Sequence, residues 1–186
     1  MRIFPYTAEA FAKLLLTEIV RLDQEYKRAP TAQESTRWTV AMKEWLSSIA
    51  RQHGMRGIHT ASDMSEFLLD LVWWHDGPPQ GAVLACEMEW GNTRHPQGNP
   101  ARVVEDFDKL LSVKAPFKLM LFDSYGNAER RTEMISAMDS YLQKFGDHRA
   151  GEQYLAIDVS PLPHAWLCKI SHDSEDSLPK LSALTT

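Results

Sequence analysis

Two glutamates interrupt a hydrophobic run near the middle of the chain. The segment ACEMEWGN, residues 85–92, places Glu87 and Glu89 among residues that otherwise suit a buried β-strand. Side chains two positions apart on a strand point to the same face, so these carboxylates stand side by side while Cys86 and Met88 face a core. Neighbouring anions repel each other, and burying them is costly without positive charge. The pattern therefore indicates that a cationic partner lies close by.

A third acid, Asp70, lies in the β-rich segment EFLLDLVWWH, which is followed by the turn sequence DGPPQG. Residues 66–75 and 82–90 are predicted to pair as an antiparallel hairpin. That pairing places Asp70, in the middle of its strand, opposite the region of Glu87 to Glu89, where direct cross-strand neighbours lie about 5 Å apart and diagonal ones about 7 to 8 Å apart. Three carboxylates on one face form an oxygen-rich site that suits Mg²⁺ or Mn²⁺. A bound divalent ion would supply the missing positive charge.

Simpler explanations of these acids remain open on the sequence alone. Glu87 and Glu89 are also compatible with the solvent-facing side of an antiparallel strand. Asp70 is compatible with an edge strand or with an ion pair to an arginine. The metal-site hypothesis is distinguished by its requirement that all three side chains converge.

An acid in one hairpin strand, then E-x-E near the end of the next, then a helix and a strand, resembles the PD-(D/E)xK nuclease superfamily. The resemblance covers residues 31–123 and implies an α/β fold with a restriction-endonuclease-like α-β-β-β-α-β core and a mixed sheet. It implies metal ligation by Asp70, Glu87 and the Met88 carbonyl, with Glu44 of the preceding helix as an additional acid. Glu89 stands where the family usually has its catalytic lysine.

Two lysines are candidates to replace that motif lysine. In some family members the lysine has moved to a neighbouring helix, and Lys109 and Lys43 are placed to fill this role. Lys109 also follows Glu105 and Asp106 at helical spacing, which indicates ordinary ion pairing on a helix surface. Glu44 is likewise compatible with a plain surface position.

The activity that the resemblance implies is metal-dependent hydrolysis of phosphodiester bonds in nucleic acid. The metal would orient the phosphate and activate a water, Glu89 would orient or deprotonate that water, and a lysine or arginine would stabilise the developing charge. A second hypothesis is a catalytically silent relative that retains the fold as a protein-interaction or regulatory module. The absent motif lysine favours the second hypothesis, whereas the clustered acids favour the first.

Periodicity and turn signals predict the elements that position these residues. A helix capped by Thr7 should run to about Tyr26, and a second should open at the capping box of Thr31 and Glu34 and end near His53. Beyond the hairpin the sequence predicts helices over 101–113 and about 127–146. Further strands are predicted at 57–59, 117–123, 153–160 and 165–171.

These elements predict one domain over residues 1–171, with an N-terminal helix (1–30), a motif core (31–123) and a C-terminal helix with strands (124–171), followed by a polar tail at 172–186. The long first helix either packs on the core or mediates a homodimer. The net charge of −5 argues against bulk electrostatic coating of nucleic acid, but leaves room for a local groove that binds it. No run suits a membrane span or a signal peptide, and two isolated cysteines predict a reducing, cytoplasmic setting.

Overall fold

The structure is a computed structural model. It describes residues 4–26, 32–59, 69–90, 100–171 and 178–185, without the side chains of 32–35. The helices of this part of the chain are α1 (Ala8–Tyr26), α2 (Ala32–Gln52), α3 (Pro100–Ser112) and α4 (Ala128–Lys144). Its strands are β1 (Arg56–His59), β2 (Leu71–His75), β3 (Gly81–Glu89), β4 (Phe117–Phe122), β5 (Gln153–Asp158), β6 (His164–Lys169) and β7 (Ser182–Ala183). The protein is therefore of the α/β class.

The helix boundaries follow local capping chemistry. The Thr7 hydroxyl accepts a hydrogen bond from the Ala10 backbone N–H, which confirms the predicted cap of α1. At the end of α2, Gly54 adopts a φ of 71°, a left-handed conformation that glycine accommodates without a Cβ clash. Asn127 caps α4 by accepting the Arg130 N–H. The predicted capping box of α2 lies outside the described residues.

The seven strands of the described chain form one mixed sheet in sequential order from β1 to β7. β1, β2 and β3 are successive antiparallel neighbours, whereas β3, β4 and β5 are parallel. Parallel neighbours need crossover connections, and α3 and α4 provide them. The carboxyl ends of β3, β4 and β5 therefore meet at the same edge of the sheet, where open α/β folds commonly bind ligands.

Two hydrophobic clusters cover the two faces of the sheet. One cluster joins the apolar sides of α1 and α2 to one face, with Leu84, Cys86 and Met88 as the contribution of β3. The other joins α3 and α4 to the opposite face and includes Ala85. The first helix thus packs on the core of its own chain, which is one of the two alternatives that the sequence left open. Glu87 lies two positions after Ala85 on β3, so its side chain points to the same face of the sheet, which α3 and α4 cover.

The structure corrects two boundaries. Asp70 was predicted within a strand over 66–75, but β2 begins at Leu71 and Asp70 lies in the bend that precedes it. The polar tail was predicted to be loose, yet Ser182 and Ala183 pair with β6 as the edge strand β7. The neighbouring Leu181 is buried, and this anchor accounts for the return of the tail to the sheet. A two-residue strand is too short for periodicity to reveal.

None of the helices in the described ranges is both long enough and apolar enough to cross a membrane.

Candidate functional site

Asp70 and Glu87 meet where β2 begins and β3 nears its end. The pairing of Leu71 with Cys86 places the preceding residue, Asp70, beside Glu87. One Asp70 oxygen accepts the backbone N–H of Met88 at 2.9 Å. The Asp70 carboxylate lies close enough to Glu87 for its charge to raise the pKa of Glu87. The bend before β2 therefore turns Asp70 toward Glu87, so two of the three acids that the sequence singled out come together.

Glu87 is almost completely buried, with 3% of its surface exposed. Burial raises the pKa of Glu87 to about 9, and the charge and hydrogen bond of Asp70 act in the same direction. A carboxyl group with this pKa retains its proton at neutral pH. The Asp70–Glu87 pair therefore carries about one negative charge rather than two, which relieves the repulsion expected from the sequence.

Two lysines supply the positive charge beside the pair. Lys43 of α2 is buried and forms an ion pair with Asp70 at 2.6 Å. Lys109 of α3 reaches to 3.8 Å from Glu87 and also pairs with Asp106 at 2.5 Å. The helix-surface pairing predicted for Lys109 is thus present, together with the contact to Glu87. We name Asp70, Glu87, Lys43 and Lys109 the acid–lysine cluster.

The other residues named from the sequence are placed less centrally. Glu89 ends β3 two positions beyond Glu87, on the same face of the sheet, and is half-buried. Glu44 is exposed on α2, and its charge acts on Tyr26. The Met88 side chain is buried in the α1–α2 core, while its backbone N–H binds Asp70. Within the described ranges, no three His, Cys, Asp or Glu side chains are grouped closely enough to hold a metal ion.

Asp70 and Glu87 are the residues of this site that could hold a magnesium-type ion. Mg²⁺ in proteins is commonly held by one or two carboxylates, with water and substrate phosphate completing its coordination. Asp70 provides one carboxylate, and Glu87 would provide the second on losing the proton that its raised pKa retains. Glu87 Oε1 is buried without a hydrogen-bond partner and lies 3.8 Å from Lys109 Nζ. An unsatisfied buried oxygen is costly, and a cation would relieve that cost. Asp70 and a deprotonated Glu87 are therefore the two oxygen ligands that this site could offer a divalent cation.

A pH series should detect the buried carboxyl group of Glu87. Its raised pKa means that the folded protein retains a proton that the unfolded chain loses above its ordinary pKa of 4.5. Its contribution to stability is therefore complete below pH 4.5 and is lost progressively as the pH rises toward about 9. In metal-free buffer with EDTA, we expect Glu87→Gln to be more stable than wild type at pH 8 by about 1 to 3 kcal/mol.

Urea denaturation at pH 4, 6 and 8 measures this difference. The gap between Glu87→Gln and wild type should widen with each rise in pH. A constant gap would show that Glu87 titrates normally in the folded protein.

Another buried acid, Asp158, lies at the end of β5 and was not predicted from the sequence. Its carboxylate accepts hydrogen bonds from the hydroxyls of Ser124 and Ser160 at 2.6 and 2.9 Å, and from Arg131 at 2.5 Å. Burial opposes ionisation, but these hydrogen bonds outweigh it and lower the pKa of Asp158. The charge inside the run YLAIDVS was the same signal that marked Asp70. The arrangement ties the ends of β4 and β5 to α4.

Removing this carboxylate should destabilise the fold. Asp158→Ala leaves the Arg131 guanidinium and two serine hydroxyls without their acceptor, so we expect a loss of about 2 to 4 kcal/mol. Urea unfolding measures the loss, and Asp147→Ala, at an exposed loop position, serves as the control. Equal stability of the two variants would contradict a structural role for Asp158.

Comparison with known proteins does not extend this assignment. No protein-family model, no curated protein and no solved structure matches the chain.

Proposed function

We propose that the protein is a divalent-metal-dependent nuclease whose catalytic centre is the acid–lysine cluster. The main support is that Asp70 lies beside the buried carboxyl group of Glu87 where β2 and β3 meet, with a lysine next to each acid. The order α2-β1-β2-β3-α3-β4 also agrees with the α-β-β-β-α-β core of restriction-endonuclease-like proteins. The proposal includes this finer fold assignment.

Asp70 and Glu87 would hold Mg²⁺ or Mn²⁺ through their carboxylate oxygens, together with the Met88 carbonyl that the family resemblance adds. When bound, such an ion activates water and polarises a phosphate. The protein's own contribution is to fix the two carboxylates before the ion arrives. Asp70 is held by the Met88 N–H and by Lys43, so its oxygen positions are set by the sheet and by α2.

The two lysines differ in what they can reach. Lys43 is buried and fully engaged with Asp70, so its role is to position that carboxylate. Lys109 is 45% exposed and lies on the solvent side of Glu87, so its ammonium group can contact a phosphate that approaches the pair. A cation at that point stabilises the negative charge that develops on phosphate during hydrolysis. Lys109 is therefore our candidate for the displaced motif lysine.

Glu89 and Glu44 have supporting roles in this proposal. Glu89 lies next along β3 on the same face, where a half-buried carboxylate can orient or deprotonate a water molecule. Glu44 is more remote from the pair, and we retain it only as an additional acid near the approach of the metal. Both roles rest on the family resemblance.

Incubation with supercoiled plasmid DNA and with single-stranded RNA tests the proposal. We expect cleavage of at least one substrate in Mg²⁺ or Mn²⁺ and none in EDTA. Calorimetric titration with Mn²⁺ establishes independently whether the ion binds. Absence of both cleavage and metal binding would refute the nuclease proposal.

An alternative function is a catalytically silent module that binds a protein partner. One observation favours it: Lys43 and Lys109 already balance the acids, so their charge does not by itself demand a metal. Metal binding without cleavage of either substrate would favour this alternative.

Substitution of the two lysines should separate their roles. Lys109→Met should reduce cleavage by roughly 10²-fold with little change in stability, because it removes a half-exposed phosphate contact. Lys43→Met should lower the free energy of unfolding by about 2 to 4 kcal/mol, because it leaves the Asp70 carboxylate without its buried partner. Cleavage rates and urea unfolding of both variants measure the two effects. The reverse pattern would exchange the roles assigned here.

A further inference from the structure

Arg130 lies on the buried side of α4, where a charged residue is unusual. The buried side of α4 consists of Arg130, Met134, Met138 and Leu142, spaced four residues apart and facing the sheet. Only 9% of Arg130 is exposed, and its Nε and Nη2 atoms are buried without a hydrogen-bond partner. An unsatisfied guanidinium in a core is costly, so its presence needs an explanation.

The location of Arg130 along the helix adds to this cost. Arg130 lies in the first turn of α4, whose amino end carries partial positive charge from the helix dipole. Its guanidinium carbon lies 5.6 Å from the ring centre of Tyr125, which precedes the helix, so the side chain folds back over that amino end. A cation at this end of a helix is unfavourable unless an anion accompanies it.

Among the described residues, no carboxylate accepts a hydrogen bond from the buried Nε and Nη2 atoms of Arg130. The buried Asp158 carboxylate is instead bound by Arg131, Ser124 and Ser160. The Asn127 side chain accepts a hydrogen bond from the Arg130 backbone N–H and not from the guanidinium group. The first backbone N–H groups of α4 also lie outside the helical hydrogen-bond ladder. Unused donors of two kinds, guanidinium and backbone, therefore share one end of the helix.

We propose that the Arg130 guanidinium and the amino end of α4 form a binding site for a phosphate group. Phosphate matches both sets of donors, because arginine binds its oxygens in a planar fork and helix amino ends stabilise its charge. The site lies beyond the carboxyl end of β4, on the same face and edge of the sheet as Glu87 and Glu89. The inference goes beyond the nuclease proposal and requires no metal ion.

Titration with inorganic phosphate in EDTA-containing, phosphate-free buffer tests the site. We expect phosphate to raise the melting temperature of wild type and to bind at least about tenfold more weakly to Arg130→Met. Because the Nε and Nη2 atoms of Arg130 are buried without a hydrogen-bond partner, Arg130→Met should be at least as stable as wild type before phosphate is added. Arg149→Met removes an exposed positive charge from the loop before β5 and should leave phosphate binding unchanged.

Two oligonucleotides of one sequence, with a 5′-phosphate and with a 5′-hydroxyl, identify the source of the phosphate. Preference for the phosphorylated strand indicates a terminal phosphate, equal binding indicates the backbone, and binding of inorganic phosphate alone indicates the free anion. Each of these results supports the site when Arg130→Met abolishes it and Arg149→Met does not. Phosphate binding of unchanged affinity in Arg130→Met, or marked loss of stability in that variant without phosphate, would overturn the inference.

Discussion

Replacing Asp70 with asparagine or Glu87 with glutamine should abolish metal-dependent cleavage, with rates at least about 10³-fold below wild type. Each substitution preserves the shape of the side chain but removes one of the two carboxylates available to the ion. Asparagine can still accept the Met88 N–H through its amide oxygen, so the bend before β2 should persist. The change therefore acts on metal affinity more than on the local backbone.

The matched control is Asp76→Asn. Asp76 lies in the turn between the same two strands, is exposed, and pairs with Arg56 at 2.7 Å. Exposed ion pairs contribute little to stability, so this variant should cleave at the wild-type rate. Cleavage assays and Mn²⁺ calorimetry on all three variants measure the effect. If Asp70→Asn and Glu87→Gln bind metal and cleave as wild type does, the catalytic centre lies elsewhere.

Lys118→Met should cause one of the largest losses of stability in this protein. Lys118 is fully buried at the start of β4, donates a hydrogen bond to the Tyr154 oxygen at 2.8 Å and pairs with Glu152 at 3.0 Å. The Tyr154 hydroxyl in turn donates to Glu152, so the three groups form one network. Removal of the ammonium leaves a buried carboxylate uncompensated, at an expected cost of about 3 to 5 kcal/mol.

A double variant shows whether that cost arises from the uncompensated charge. In Lys118→Met with Glu152→Gln the buried negative charge is also gone, and the amide oxygen can still accept the Tyr154 hydroxyl. We expect the double variant to recover at least half of the stability lost in Lys118→Met. Urea unfolding of the wild type, both single variants and the double variant completes the thermodynamic cycle. Additive losses would show that Lys118 and Glu152 act independently.

Helix boundaries were the most predictable part of the fold. Thr7, Gly54 and Asn127 act through hydrogen bonds and backbone conformations within a few residues, and such local effects can be recognised from sequence. The start of β2 was placed too early because Leu68, Leu69 and Leu71 have the composition of a strand on either side of Asp70. Only pairing with β3 determines where that strand begins.

The positions of the candidate site were partly predictable. The unusual acids in an apolar segment pointed to Asp70 and Glu87, and the family resemblance brought Lys109 and Lys43 into consideration. Arg130 gave no such signal, because a basic residue near the start of an amphipathic helix resembles any surface arginine. Its burial depends on which side of α4 faces the sheet.

The sequence by itself determined the α/β class, the helix ends and the presence of acids that need compensation, because these follow from local chemistry and from side-chain alternation. Tertiary structure alone decided how the compensation is made. Lys43 comes from α2 and Lys109 from α3, on opposite sides of the sheet, and both reach acids contributed by the first hairpin. Contacts between segments so far apart in the chain depend on the packing of whole elements, which no local pattern encodes.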